Sequence, residues 1–353
     1  MRILTLPLSL LLPLLLAALL AACGNPRSDG LSLGEERSTS DEAKITDQMI
    51  SAIKEVSLAR HSSGKIKRFN QSKSLGCFNA TLTVKDDLSD ELRQGVFAQN
   101  TTYPAKVRFA NATKFDDREK DFRGMSISLF NVQGETLWGE PGQQDFLLNS
   151  HPVLFARDGS DFLEFIEAGR DDKVWQYFIR PSHFYSLKTA LRGREKISNP
   201  FSIRYWSTTP FRHGPDQSTA VKYSVKPCSS PVVKKHQSDS DNFLTDAMAA
   251  QLEESSACFD FMVQFQTDAQ DMPIEDASVR WDEQQSPFQT VATLSIDNQE
   301  FNTPDNQLAC EQMTFNPWQS LAAHRPLGEL NRLRKAIYSE IGTFRNTTNK
   351  QRQ

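Results

Sequence analysis

Arg334, Tyr338, Ile341 and Arg345 follow one another at spacings of four, three and four residues, so a helix carries all four on one face. A phenol beside a guanidinium ionises more readily, because the positive charge favours the phenolate. A phenolate held inside a fold is one of the protein ligands that suit a ferric haem iron. The same stripe also fits a basic surface helix with a bystander tyrosine, since structural ion pairs produce such patterns.

A body must exist to bury that tyrosine. The 353 residues suffice for one large domain or two ordinary ones. Hydrophobic residues make up 38% and charged residues 24%, the balance of a globular body. A net charge of −4 gives no reason to expect nucleic acid as a partner. The 23 phenylalanines suit a large apolar cavity, or any large core.

Residues 1–22 read as an export signal. Arg2 is followed by the apolar run Ile3 to Leu20, and Pro7 and Pro13 disfavour a spanning helix. The segment Leu20-Ala21-Ala22-Cys23-Gly24 resembles the lipobox of bacterial lipoproteins. That resemblance implies cleavage before Cys23, acylation of Cys23 and stable membrane anchoring. With Gly24 rather than Asp next, the expected location is the outer membrane, facing the periplasm. Four cysteines then remain: Cys77, Cys228, Cys258 and Cys310. An oxidising compartment makes two disulfides the expectation, with three connectivities open. Four buried thiols are the alternative.

Residues 23–40 are rich in Ser, Gly, Glu and Arg and read as a flexible tether. A helix fits Asp41 to about Arg60, with Ile45, Met49, Ile53 and Val56 as its apolar stripe. Period-two alternation follows in many segments: Phe78 to Val84, Val107 and Phe109, Met125 to Leu129, Val221 to Val225, Phe259 to Phe265 and Val291 to Asp297. Helical insertions fit Gly159 to Ala168, Lys173 to Arg192 and Asp241 to Glu253. Residues 229–240 read as an exposed loop. The order is that of an α+β fold on an antiparallel sheet or barrel, with one domain over residues 41–348.

Four segments, in order, resemble the haem catalase superfamily. Arg68-Phe69-Asn70-Gln71, with Lys73 and Gly76 beyond, resembles the segment carrying the distal histidine. Val107-Arg108-Phe109-Ala110 and Asp121-Phe122-Arg123-Gly124 resemble VRFS and its D-P-R-G continuation. Asn149-Ser150-His151-Pro152-Val153-Leu154-Phe155-Ala156-Arg157-Asp158, with Phe162 beyond, resembles the segment with the distal asparagine and a phenylalanine on the porphyrin. Phe315-Asn316-Pro317, then Arg334 and Tyr338, resembles F-x-P and the R-x-x-x-Y of the proximal ligand. The likeness spans roughly residues 50–345.

The resemblance implies an eight-stranded antiparallel β-barrel with surrounding helices and haem b (iron protoporphyrin IX). Tyr338 would ligate the iron and Arg334 would hydrogen-bond the phenolate. Arg68, Arg108 and Arg345 would hold the propionates, for which paired guanidinium donors are suited. Phe162 would pack on the ring. Asn149 would be the distal asparagine, with Ser150 or His151 at that point if the register shifts by one. The departure is Gln71, which stands where catalases have histidine. A carboxamide hydrogen-bonds but cannot shuttle a proton at neutral pH, a loss worth typically 10²- to 10⁴-fold. His151 is the candidate to compensate.

Three functions follow. One is a haem hydroperoxidase, a weak catalase or a peroxidase on organic hydroperoxides. The second is a lipid-hydroperoxide isomerase or lyase, as in the catalase-like allene oxide synthases. The third is a non-catalytic haem-binding lipoprotein. No G-x-S-x-G or H-E-x-x-H segment supports a hydrolase. The expected assembly is a monomer or dimer.

Overall fold

The computed structural model describes residues 30–228 and 239–352. The leader, Cys23 and most of the expected 229–240 loop lie outside the described residues.

The alternating segments form β1 (Lys73–Val84), β2 (Thr102–Asn111), β3 (Arg123–Phe130), β4 (Gln143–Asn149), β5 (Tyr205–Trp206), β6 (Phe211–Arg212), β7 (Ala220–Pro227), β8 (Ala257–Phe265) and β9 (Gln289–Ile296). They pair antiparallel in the order β5-β4-β3-β2-β1-β9-β8-β7-β6, and β5 also pairs with β7. That second pairing closes the sheet. Strands β1 to β5 and β7 to β9 make an eight-stranded ring, with the two-residue β6 on β7 beside it.

Alternation sends every second side chain into the ring. Phe78, Val107, Phe109, Met125, Ile127, Tyr223, Phe259 and Phe261 are fully buried there. Each large apolar side chain contributes roughly 1.5–3 kcal/mol by leaving water, and the Phe78, Phe109 and Phe201 rings meet edge-on at 5.4–5.8 Å. Strict alternation fails twice, and the first break is in β1 between Ser74 and Gly76. A bulge in the β8/β9 ladder pairs Phe261 with Ala292 and Met262 with Thr290. Val291 is the extra residue, and both it and Ala292 are buried.

Helices cover the ring: α1 (Glu42–Arg60), α2 (Gly159–Arg170), α3 (Val174–Phe178), α4 (Phe184–Gly193), α5 (Phe243–Glu254), α6 (Pro304–Gln312) and α7 (Glu329–Gln351). The expected stripe of α1 is buried against α2 and α7. The single insertion expected over Lys173 to Arg192 is two helices. Arg180, before Pro181, is extended at φ −66° and ψ 134°, because the proline ring disfavours helix in the residue preceding it. Helix α7 runs a few residues past the expected domain end at 348. Helix α6 has no apolar stripe to announce it. Thr303 caps it, and Cys310 is its one buried residue.

The disulfides join Cys77 to Cys310 and Cys228 to Cys258, across Cα separations of 5.9 and 5.5 Å. The first ties α6 to β1. The part of the expected flexible tether that is described is docked on the body. The Gly34 amide donates to Gln266 Oε1 at 2.8 Å, the Arg37 amide to Glu275 Oε1 at 2.8 Å, and Glu36 pairs with Arg332 at 2.8 Å and with Arg325. Among the described residues, no helix is long and apolar enough to cross a membrane.

Candidate functional site

Helix α7 starts after Gly328 at φ +86°, a left-handed conformation that favours glycine. There the Glu329 amide donates to Glu275 Oε2 at 2.7 Å. Leu333 and Ile337 fasten the helix to α1 and α2, and Tyr338 lies half-buried in the same cluster with Phe69, Phe162 and Phe165. Phe162 and Phe165 sit one turn apart on α2, their rings inclined by 19° at 6.3 Å. Arg334 lies over the Tyr338 ring, 6.0 Å from guanidinium carbon to ring centre. Its hydrogen bonds run to Thr209 Oγ1 and Asn331 Oδ1, each at 3.1 Å. The expected bond to the phenol oxygen is therefore replaced by a contact with the ring face.

The three expected anion-binding arginines meet at one point, around Glu311. Arg68 Nη1 is 3.0 Å from Glu311 Oε2, Arg345 Nη1 is 3.7 Å from the same oxygen, and Arg108 Nη2 is 3.8 Å from Oε1. Arg68 also donates to the Met313 carbonyl at 2.7 Å, and Arg345 to the Glu311 carbonyl at 2.9 Å. Arg108 and Arg345 are buried, yet Arg108 Nε and Arg345 Nη1 have no hydrogen-bond partner. Burial pulls the Arg108 guanidinium down to about 10. Burial also pulls Arg68 well below its usual range, and repulsion from Arg108 and Arg345 adds to the shift. Three cations around one carboxylate leave two positive charges unmatched.

Sequence gives no sign of Glu311, but the fold explains it. Cys77 lies opposite Arg108 in the β1/β2 ladder, so their side chains share the outer face. The Cys77–Cys310 bond thus brings Glu311, the next residue of α6, over Arg108. Phe165, one turn after Phe162, is the other functional neighbour that sequence reading passed over; the i, i+3 spacing was its available signal.

Beside this cluster, Gln71 stands at φ +55°. Its carbonyl accepts from Arg108 Nη2 at 2.9 Å. Its amide lies against Gly124, where an added Cβ would meet Gln71 Cδ at 2.1 Å. Gly124 pairs in turn with Asn149 across β3/β4. Gln71 and Asn149 therefore meet about Gly124, and the buried Asn149 Oδ1 has no hydrogen-bond partner.

The structure places the three register alternatives differently, and Asn149 is the one paired with Gly124. The Ser150 hydroxyl accepts from the Arg123 amide at 2.9 Å and the Ser150 amide donates to the Arg123 carbonyl at 2.8 Å, which extends the ladder. His151 is not with the pair. Its ring meets Phe122 edge-on at 6.1 Å and lies against Gly193 at the end of α4. Burial, then the Arg280 charge, lowers its proton affinity.

No family model matches the chain. The "Allene oxide synthase-lipoxygenase protein" of Plexaura homomalla is 22% identical over 278 residues, which is 70% of this chain and 24% of that protein. A fungal catalase superposes with a TM-score of 0.65 at 18% identity, over 82% of this chain and 61% of that one. Catalase A from Saccharomyces cerevisiae gives 0.63 at 18% identity, over 82% and 63%. A bacterial catalase gives 0.62 at 16% identity, over 91% and 64%.

The fold is that of the catalases. The chain spans about a quarter of the curated relative, at 24%, and under two thirds of each solved catalase. Within the catalase-like barrel, β2, β3 and β4 carry Arg108, Gly124 and Asn149, and the covering helices α2, α6 and α7 carry Phe162, Glu311 and Tyr338.

Proposed function

We propose that this catalase-like protein holds haem b, with Tyr338 as the proximal iron ligand. The observation that carries the proposal is the cluster of Arg68, Arg108 and Arg345 around a single carboxylate, with the buried Arg108 Nε and Arg345 Nη1 lacking hydrogen bonds. The Glu311 carboxylate stands in for one haem propionate, and the unmatched charge suits the propionate pair. The phenol of Tyr338 on α7, beside Phe162 and Phe165, supplies an oxygen ligand next to aromatic rings that suit a porphyrin face. These residues fit the group.

The bound iron would supply the redox chemistry of peroxide O–O cleavage, which an anionic oxygen ligand favours. The chain's own residues would orient the substrate. Asn149 Oδ1 would accept from the hydroperoxide O–H, and Gln71 Nε2 would donate to the same group. Neither amide can take a proton and return it, so disproportionation of hydrogen peroxide would run roughly 10²- to 10⁴-fold below that of a site with imidazole. Turnover of organic hydroperoxides as a peroxidase is the favoured activity. The likeness to the allene oxide synthase protein supports a second reading, isomerisation or lysis of lipid hydroperoxides, in which cleavage without a proton relay suffices.

The absorption spectrum after addition of haemin tests the ligand. A ferric-phenolate spectrum in the wild type, lost in Tyr338→Phe, is expected. Failure of both proteins to hold haem stoichiometrically overturns the proposal. Turnover of hydrogen peroxide against cumene hydroperoxide then separates the activities. For the envelope location we propose acylation at Cys23, supported by the lipobox-like segment. Incorporation of labelled palmitate that persists in Cys23→Ser would reject it.

A further inference from the structure

Nine large hydrophobic side chains are exposed among the described residues, and five of them fall between positions 175 and 191: Trp175, Ile179, Phe184, Tyr185 and Leu191. Leu191 is 67% exposed, Trp175 61% and Ile179 59%. A concentration of that kind marks an interaction surface rather than scattered surface apolarity.

Helix α4 is built inside out. The residues it turns to the protein are Ser186, Thr189 and Gly193. Phe184, Lys188 and Leu191, at i, i+4 and i+7, form its outer face, with Tyr185 and Arg192 beside them. On α3 and its C-cap, Trp175 and Ile179 are likewise four residues apart and outward, while Tyr177 is buried. The inward anchors are aromatic: Tyr177 and Phe178 pack on Phe165 at 5.5 and 5.9 Å. The hairpin is therefore firmly seated, with the Tyr185 hydroxyl also donating to the Ser278 carbonyl, and Trp175, Ile179, Phe184 and Leu191 are left outward.

The charge around them chooses the partner. Lys173, Arg180, Lys188, Arg192, Arg194 and Lys196 accompany the apolar residues, against Glu195 as the one acid from 173 to 196. The chain as a whole carries −4, so this face opposes the general balance. Lys188, Arg192, Arg194 and Lys196 make no ion pair among the described residues; Arg180 alone is engaged, with Glu164 at 2.8 Å. Exposed Trp, Phe, Tyr, Ile and Leu interleaved with unpaired Lys and Arg are the composition of an interfacial membrane surface. The apolar side chains enter the headgroup–acyl boundary, and the cations meet anionic phosphates.

We propose that the α3–α4 face docks on an anionic phospholipid bilayer. This contact is separate from acylation of Cys23 and does not depend on haem. It would fix which side of the barrel faces the lipid.

The test uses the full chain on vesicles of phosphatidylglycerol and phosphatidylethanolamine that contain brominated acyl chains. Bromolipids quench only indoles that reach the acyl region, so a tether alone gives no signal from Trp175. Expected is a quenched component of the tryptophan emission that disappears in Trp175→Phe and falls severalfold in Lys188→Glu/Arg192→Glu. Circular dichroism should be unchanged, because all three side chains are exposed. Equal quenching in wild type and Trp175→Phe overturns the proposal. So does a dimer in sedimentation that Leu191→Asp dissociates, because the face would then be covered by a second copy.

Discussion

Arg68 lies 3.0 Å from the Glu311 carboxylate, although α6, which carries Glu311, resembles no part of the catalase motifs. The carboxylate is shared with Arg108 and Arg345. It offsets part of their mutual repulsion, and it occupies the donors that an exogenous carboxylate would use.

Glu311→Gln should therefore separate the two roles. Without ligand, the three cations lose their counter-charge, and stability should drop by about 1–2 kcal/mol, the partial exposure of Glu311 limiting the effect. Haemin affinity should rise about tenfold, since a propionate no longer competes. Thermal melts and haemin titration check both, and weaker haemin binding in the variant would sink the stand-in role of Glu311.

Removing the Cys77–Cys310 bond should loosen the same carboxylate. The bridge closes a separation of 233 residues, against 30 for Cys228–Cys258. On chain-entropy grounds its loss should cost roughly 3–5 kcal/mol, the larger of the two. Cys77→Ala/Cys310→Ala should melt below Cys228→Ala/Cys258→Ala, and should also gain haemin affinity. Equal melting of the two variants would mean that α6 is held by its other contacts.

Gln71→His should restore what the distal side lacks. The position has φ +55°, where histidine is among the residues tolerated. Hydrogen peroxide turnover by the haem-loaded variant should rise roughly 10²- to 10⁴-fold. It should fall below about pH 6.5 as the imidazole protonates. A haem-loaded variant that turns over no faster than wild type would show that Gln71 does not face the substrate.

Asp145 makes stability depend on pH. Burial raises its carboxyl to about 7, against the bonds from Ser128 at 2.6 Å, Gln143 at 2.9 Å and the Asn316 amide at 3.0 Å, which lower it. The folded state then binds a proton that the unfolded chain releases near pH 4, so this contribution is complete below pH 4 and is lost as pH rises to about 7. The melting temperature should decline over that window, and Asp145→Asn should flatten the decline. An unchanged slope in the variant would assign it to other groups.

The sequence by itself determined the strand alternation and named the candidate residues. Period-two alternation from Phe78 to Ile296 encodes which side chains face inward, because pleating is a local property of the strand. The helical spacing of Arg334, Tyr338 and Arg345 is local in the same way, and the order of the motif segments marked Arg68, Arg108 and Asn149. Only the tertiary structure decided what those residues meet. It joined Cys77 to Cys310 and so set Glu311 among the arginines. It bonded Ser150 into the strand ladder and turned His151 toward Phe122. It moved Arg334 from the phenol oxygen to the ring face. It also left the apolar side of α4 outward, where periodicity alone reports an amphipathic helix but not which face is covered. Each of these depends on contacts between segments far apart in the chain, and local spacing carries no record of them.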